Sequence, residues 1–243
     1  MRIGITIEAR MTSSRLPGKV LLPIAGKPAL ERMVERVRRV PGIDQIVVAT
    51  TVNATDDPIA ELAAAMGVGC HRGSEEDVLQ RVLDAANAYG LDVIVELTGD
   101  CPLIDPAVIA AVISTYRQAG VDYVSNCLNS RTFPLGMETQ VFATQVLADV
   151  ARRTSEAEDR EHVSLYIYRH PELYSLRNHP APPPFQSDLR LTLDTPADYE
   201  LIRRVYETLY PANPEFGLAD ILTLMECQPE LRSLNAGVQQ KHV

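Results

Sequence analysis

Tryptophan is absent and aromatic residues make up only 5% of the 243-residue chain, too few for a surface that stacks single-stranded bases. No stretch reaches the roughly 18 consecutive apolar residues of a membrane span. Cysteine is scarce: Cys70, Cys101, Cys127 and Cys227 lie far apart with no C-x-x-C among them. They read as reduced thiols of a cytoplasmic protein, and a zinc site finds no support. Glycine (13) and proline (17) are too few for collagen or low complexity, and 46% hydrophobic residues are too many for wholesale disorder. Positive charge is also short. The net charge of -9 disfavours a nucleic-acid coat or a binder of anionic membranes. The first residues, Met1 to Ile7, run straight into strand-like alternation without a signal-peptide layout.

What basic charge there is lies unevenly. Residues 1–40 hold nine Lys/Arg against Glu8, Glu31 and Glu35, which points to an anion near the N-terminus. The β-branched run Arg2 to Ile7 predicts a buried first strand. A polar loop, Ala9 to Gly18, follows. From Pro28 a helix is expected with Leu30, Met33, Val34, Val37 and Val40 on its apolar face, leaving Arg32, Arg36, Arg38 and Arg39 as solvated positions. Gln45 to Thr50 predicts a second strand, Asp57 to Met66 a helix, and Val68 to His71 a third strand. Ser74 is the expected N-cap of a helix reaching about Ala88, with Asp77 at the capping-box position. Asp92 to Thr98 predicts a strand, Pro106 to Gln118 a helix and Val121 to Ser125 a strand.

This alternation argues for an α/β fold with a largely parallel sheet covered on both faces. A turn-rich stretch from Asn126 to Gly136 then breaks the pattern. A strand of different connectivity (Glu138 to Phe142) and helices at about 144–154 and 159–169 follow. An exposed proline-rich connector spans Pro180 to Pro184. Leu189 to Leu193 reads as a last strand, and Thr195-Pro196 opens a helix to Leu209. The chain is expected to form one domain over 1–243, with an insertion at about 126–188.

Chemistry is expected in three places. The loop Ala9 to Lys19 carries Arg10, Arg15 and Lys19 with Thr12, Ser13 and Ser14, directly after the first strand. Cations, hydroxyls and backbone N–H groups at the C-terminal edge of a parallel sheet suit a polyphosphate. A solvated surface loop is the bland alternative. Neither G-x-x-x-x-G-K-[ST] nor G-x-G-x-x-G is present. The second place is Gly99-Asp100-Cys101-Pro102 and the third Asp194-Thr195-Pro196, each an aspartate expected just past a strand. A lone one would be a helix cap, but two beside a cationic loop fit Mg²⁺, which takes one or two carboxylates plus substrate phosphates and water. Asp105 and Asp198 are expected to be caps.

The string A-R-x-x-S-x-R-L-P-G-K resembles the N-terminal signature of the cytidylyltransferases that make CMP-sugar acids, the acylneuraminate and 3-deoxy-manno-octulosonate enzymes. The resemblance is strongest to their spore-coat-polysaccharide branch. It extends over nearly the whole chain, through Arg72 to Leu79, Gly99 to Ile104, Asp122 to Asn126, Arg131 to Pro134, Arg160 to Val163, Tyr166 to Tyr168 and Asp194 to Asp198.

The resemblance implies a three-layer, Rossmann-like nucleotide-diphospho-sugar transferase fold, with the inserted lobe serving acceptor binding and homodimerisation. It implies transfer of CMP from CTP to a hydroxyl of an anionic sugar, with release of pyrophosphate, in cell-surface or flagellar glycan biosynthesis. The implied metal ligands are Asp100 and Asp194, holding Mg²⁺. Arg10, Arg15 and Lys19 would hold the phosphates, and removing the last two would weaken CTP binding with little loss of stability. Ala9, Ser13, Ser14, Arg72, Ser74, Asp77 and Thr98 would complete the nucleotide site. For the acceptor, a carboxylate calls for Arg or His, so Arg131, Arg160 and His162 are expected there, beside Glu138 and Gln140.

Departures from the family pattern bear on this. Glu8 stands in place of a neutral Gln or Pro, and Thr98 replaces a Gln found in the octulosonate enzymes. Leu135 and Gln140 replace acids in the segment Leu135 to Val141. Another nucleotide, a phosphonate or other non-sugar acceptor, and a non-catalytic nucleotide-binding protein therefore stand as alternatives.

Overall fold

The computed structural model describes residues 1–128 and 130–240; Asn129, inside the expected turn-rich stretch, and residues 241–243 lie outside that description. At its centre is β1 (Ile3–Glu8), a strand whose alternation divides the protein in two. Ile3, Ile5 and Ile7 face one core, while Gly4, Thr6 and Glu8 face the other side.

A small antiparallel hairpin, β2 (Pro23–Ile24) with β3 (Lys27–Pro28), leads into α1 (Ala29–Val37). Then come β4 (Gln45–Thr51), α2 (Asp57–Met66), β5 (Gly69–Gly73), α3 (Val78–Ala88), β6 (Val93–Thr98), α4 (Pro106–Ala119) and β7 (Tyr123–Ser125). The second half holds β8 (Gln140–Ala143), α5 (Thr144–Arg153), α6 (Ala157–Glu161), α7 (Leu165–Arg169), β9 (Leu176–Asn178), α8 (Pro196–Leu209), α9 (Leu218–Cys227) and α10 (Pro229–Ser233).

Seven strands form one sheet in the order β5-β4-β1-β6-β8-β7-β9. β1 is parallel to β4 and β6, and β5 to β4, whereas β8 runs antiparallel to both β6 and β7. Helices α1 and α4 bury Leu30, Met33, Val37, Ile109 and Val112 against the isoleucine face of β1. On the other face, α3 and α5 bury Leu79, Val82, Leu147 and Val150 against Ile94, Tyr123 and Phe142. This is a three-layer, mostly parallel α/β fold. The stretch 126–188 contributes β8 and β9 to that same sheet. After β1 the chain winds outward through β4 and β5, and it returns to β1's other side as β6. Connections therefore diverge at the carboxyl ends of β1 and β6, and such a switch point opens a crevice for ligands.

Several local expectations need correction. Arg32 and Arg36 are 2% and 3% exposed, not solvated. Arg32 Nε donates to the Ile24 carbonyl at 2.9 Å and its guanidinium lies 4.2 Å from the Tyr210 ring. Arg36 Nε donates to the Ile104 carbonyl at 2.7 Å, with Phe216 beneath it at 4.6 Å. Arginine can be buried this way because planar aromatic and carbonyl partners take over the role of water. The N-cap of α3 is Asp77, which accepts from Gln80 N; Ser74 Oγ accepts from Asp77 N one turn earlier. The single helix expected at 159–169 is two short helices broken at His162. Leu189 to Leu193 joins no sheet: its only β-type pairing among the described residues is one bridge, Leu135 to Arg190. The strand β9, only three residues long, was not foreseen. Asp105 does cap α4, and Thr195 with Asp198 forms a capping box on α8.

Candidate active site

The crevice is built from the ends of β1 and β6. Beyond Glu8 the chain leaves the sheet as the loop Ala9 to Gly18. Met11 N donates to Asp56 Oδ1 at 2.8 Å, and Gly18 N closes the loop on the Met11 carbonyl at 2.9 Å. Gly18 takes a left-handed φ of 71°, a conformation that favours glycine, and this turn points Lys19 inward. Beyond β6, Gly99 N donates to the Glu8 carbonyl at 2.8 Å. A Cβ at Gly99 would lie 2.8 Å from that same oxygen, so only glycine lets the two strand ends approach so closely.

Lys19 sits between the two motif aspartates. Its Nζ is 2.6 Å from Asp100 Oδ2 and 2.7 Å from Asp194 Oδ1. Burial pulls the pKa of this ammonium down, but the two carboxylates outweigh burial and leave it raised. Asp100 answers in the opposite sense: burial favours its neutral form, yet Lys19 holds its carboxyl below the usual range. Asp194 also receives Arg15 at 2.9 Å and Arg190 at 2.6 Å.

Asp194 does not follow a sheet strand. It is fixed because Leu193 N donates to the Asp100 carbonyl at 2.7 Å and Asp194 N donates to Asp198 Oδ2 at 3.1 Å. In this extended segment Leu189, Leu191 and Leu193 go into a core with α8 and α9. The alternate residues Arg190, Thr192 and Asp194 fall on the other side, and Thr192 Oγ1 donates to the Asp100 carbonyl at 3.3 Å. Arg190 bridges Asp194 and Asp198. It was missed, although its place in the period-two alternation of R-L-T-L-D carried the signal.

A cleft of about 350 Å³ opens over this cluster, lined by Ala9, Arg10, Ser13, Ser14, Arg15, Lys19, Thr98, Asp100, His162 and Asp194. Glu8, Arg81, Glu161 and Gln240 also line it. A second cavity of about 430 Å³ adjoins it and takes in Arg131, Gln140 and His162 with Glu8, Glu96 and Tyr123.

Other expected site residues point elsewhere. Arg72 donates to the carbonyls of Thr51 and Asn53, both at 2.8 Å, and pairs with Asp57 at 2.7 Å. With Ser74 and Asp77 engaged around the start of α3, none of the three lines the cleft. Arg160 turns back on α5, donating to the Ala151 carbonyl at 2.7 Å and the Thr154 carbonyl at 3.1 Å, and lines neither cavity. Glu138 pairs with Arg131 at 3.0 Å and accepts from Gly136 N at 2.6 Å. Burial raises its pKa, with Arg131 opposing.

The arrangement can hold a polyanion beside a pair of acids. Arg10, Arg15 and Lys19 supply charge and directional donors, and Asp100 with Asp194 already share one cation, the lysine ammonium.

The family model described as cytidylyltransferase matches residues 4–215. The chain is 37% identical over 230 residues to the spore coat polysaccharide biosynthesis protein SpsF of Bacillus subtilis, covering 92% of this chain and 94% of that one. It is 35% identical over 241 residues to an uncharacterized protein of Methanocaldococcus jannaschii, covering 98% and 96%. A solved cytidylyltransferase from Leptospira borgpetersenii superposes with a TM-score of 0.90 at 33% identity over 100% of both chains. A CMP:2-keto-3-deoxy-manno-octonic acid synthetase solved with CTP shares the fold, with a TM-score of 0.65 at 20% identity, covering 85% and 99%.

Proposed function

This chain belongs to the cytidylyltransferase family, and we propose that it transfers CMP from CTP to a hydroxyl of an anionic sugar, releasing pyrophosphate. The observation that carries the reading is the Lys19–Asp100–Asp194 cluster on the floor of a cleft rimmed by Arg10 and Arg15. The biological setting we infer is cytoplasmic synthesis of a surface glycan by a homodimer.

Such a transfer needs in-line geometry and charge neutralisation more than covalent help. The acceptor oxygen forms a bond to the α-phosphorus while the bond to the pyrophosphate oxygen breaks, and the hydroxyl proton leaves to solvent. Arg15 and Lys19 exchange carboxylate partners for phosphate oxygens as the nucleotide binds, and they then hold the leaving pyrophosphate. Ser13, Ser14 and the loop's backbone N–H groups orient the phosphates. Arg190 keeps the Asp194 carboxylate turned to the cleft through its bond of 2.6 Å.

The donor set fits Mg²⁺. No group of three or more His, Cys, Asp or Glu able to hold a metal occurs among the described residues, so a cage made of protein alone is not available. Two carboxylates converging on one cation are what Mg²⁺ takes when substrate phosphates and water complete its shell. Asp100 and Asp194 would hold it. A divalent ion held there would supply charge stabilisation to the transferred phosphate and a lower pKa to the acceptor hydroxyl.

The test is pyrophosphate release with CTP, ATP, GTP and UTP, each with Mg²⁺ and a panel of sugar acids. Release confined to CTP plus a sugar acid supports the reading. Failure of CTP to bind in calorimetry, or preference for another nucleotide, overturns it.

A further inference from the structure

The family model ends at residue 215, yet the chain beyond it comes back to the site. Helices α9 and α10 bury Leu218, Ile221, Leu224 and Leu231 in the core that also takes Leu189, Leu191 and Leu193. They therefore back the extended segment whose other side presents Arg190, Thr192 and Asp194. After α10, Asn235 is 5% exposed. Its Nδ2 donates to the Arg190 carbonyl at 3.0 Å and to Asp198 Oδ1 at 2.8 Å, which pins the chain there. Val238 N donates to the Asn235 carbonyl at 3.0 Å, and two residues past this turn the chain reaches the cleft.

Gln240 is where it arrives. It lines both cavities and is the one residue beyond 215 to do so among the described residues. The two cavities otherwise share Glu8 and Thr98 at the sheet edge, with Glu161 and His162 at the break between α6 and α7. Gln240 thus stands at the junction, where a molecule in the second cavity meets the nucleotide. The orientation of its amide follows from its partner. Arg190 Nη1 donates to Gln240 Oε1, and a guanidinium can only donate, so the amide oxygen and not the nitrogen must face it. Arg190 Nη2 holds Asp194 at 2.6 Å, so one side chain fixes both the glutamine and the motif aspartate. The two amide hydrogens of Gln240 are left without an acceptor among the described residues. A half-buried group with only donors to offer fits an oxygen, and on an anionic molecule such a bond is charge-assisted.

We propose that Gln240 is a specificity residue of the transfer, its amide N–H donating to an oxygen at the reacting end of the acceptor, so that the chain beyond 215 completes the acceptor site. The proposal rests on the cytidylyl-transfer reading above. If Gln240 only braced Arg190, a glutamate would serve better, because it offers the guanidinium a charged partner. As a substrate contact a glutamate fails. It has no hydrogen to donate when ionised, and it repels an anionic acceptor.

Steady-state kinetics at pH 7.5 with CTP and Mg²⁺ compares wild type, Gln240→Ala and Gln240→Glu. The acceptors are 3-deoxy-manno-octulosonate and an acylneuraminate, with pyrophosphate detection. Gln240→Ala should lower kcat/KM for the acceptor about tenfold or more, the scale of one hydrogen bond to a charged group, while the KM for CTP stays within about twofold. Gln240→Glu should be worse still for the acceptor, although its melting temperature equals or exceeds that of wild type. The proposal is overturned if Gln240→Glu keeps wild-type acceptor kinetics, if the KM for CTP rises as much as that for the acceptor, or if neither sugar acid is used. Calorimetry with CTP separates the two failures: nucleotide binding without the expected acceptor effect removes only the role of Gln240, whereas absence of CTP binding removes the cytidylyl reading too.

Discussion

Replacing Lys19 by alanine tests the centre of the site. Read from the sequence as a loop cation that holds phosphates, Lys19 would on its loss cost nucleotide affinity and little stability. In the structure Lys19 neutralises two carboxylates at 2.6 and 2.7 Å, with only 11% of its side chain exposed. Breaking a buried pair by removing one partner costs about 3–5 kcal/mol. Two features reduce this. Asp194 keeps Arg15 and Arg190, and the Asp100 side chain is 22% exposed, so about 2–3 kcal/mol is expected. For a chain of this size that lowers Tm by about 4–12 °C. The deficit should also depend on pH. The native carboxyl of Asp100 is held below its ordinary value by Lys19, so its contribution is present above the unfolded range near 3.8 and fades as pH falls below it. Differential scanning calorimetry of wild type and Lys19→Ala at pH 7.5 and at about pH 3, below the unfolded value, makes the measurement. A variant with the wild-type Tm at pH 7.5 would refute the claim that Lys19 neutralises the acid pair.

Asp100→Asn and Asp194→Asn should each abolish pyrophosphate release, with the double variant scarcely worse than either, as expected of residues acting as a unit; near-additive losses would mean separate roles. Glu8 carries a pKa raised from 4.5 to about 7, so wild type should lose stability, on the order of 3 kcal/mol at most, as pH rises from about 4.5 through 7. Glu8→Gln should make that slope shallower, leaving the part that the raised carboxyls of Glu96 and Glu138 contribute, and chemical denaturation across the range would expose an unchanged one. Arg160→Ala should lower stability by about 1–3 kcal/mol, because two carbonyls at the end of α5 lose their donor. Steady-state kinetics should find both substrate KM values unchanged within about twofold, and a selective rise for the acceptor would instead put Arg160 in its site.

Much of the sheet was legible because its strands are β-branched runs buried on both faces, and such runs survive in most tertiary contexts. The caps at Asp105 and Thr195 were legible because capping is local chemistry. Elements whose pairing is remote were not. Leu176–Asn178 has only three residues and becomes a strand because β7 lies beside it. Leu189 to Leu193 has the alternation of a strand, but it lies against the Asp100 turn and a core of α8 and α9 rather than within the sheet.

The arginines show where reading from the chain alone stops. Arg32 and Arg36 sit three and seven residues into a helix and look like its polar face, as Arg38 does. The first two are buried only because Tyr210 and Phe216, far along the chain, cover them. The candidate site divides in the same way. The cationic loop and the two aspartates were found because each forms a compact string with unusual composition. Arg81 and Glu96 are ordinary residues within ordinary elements and Arg190 one of an extended segment outside the sheet, and their meaning comes from what lies across from them. A charged residue announces itself in sequence when the chain clusters it. It stays silent when the fold does the clustering, and Arg190 between Asp194 and Asp198 is of the second kind.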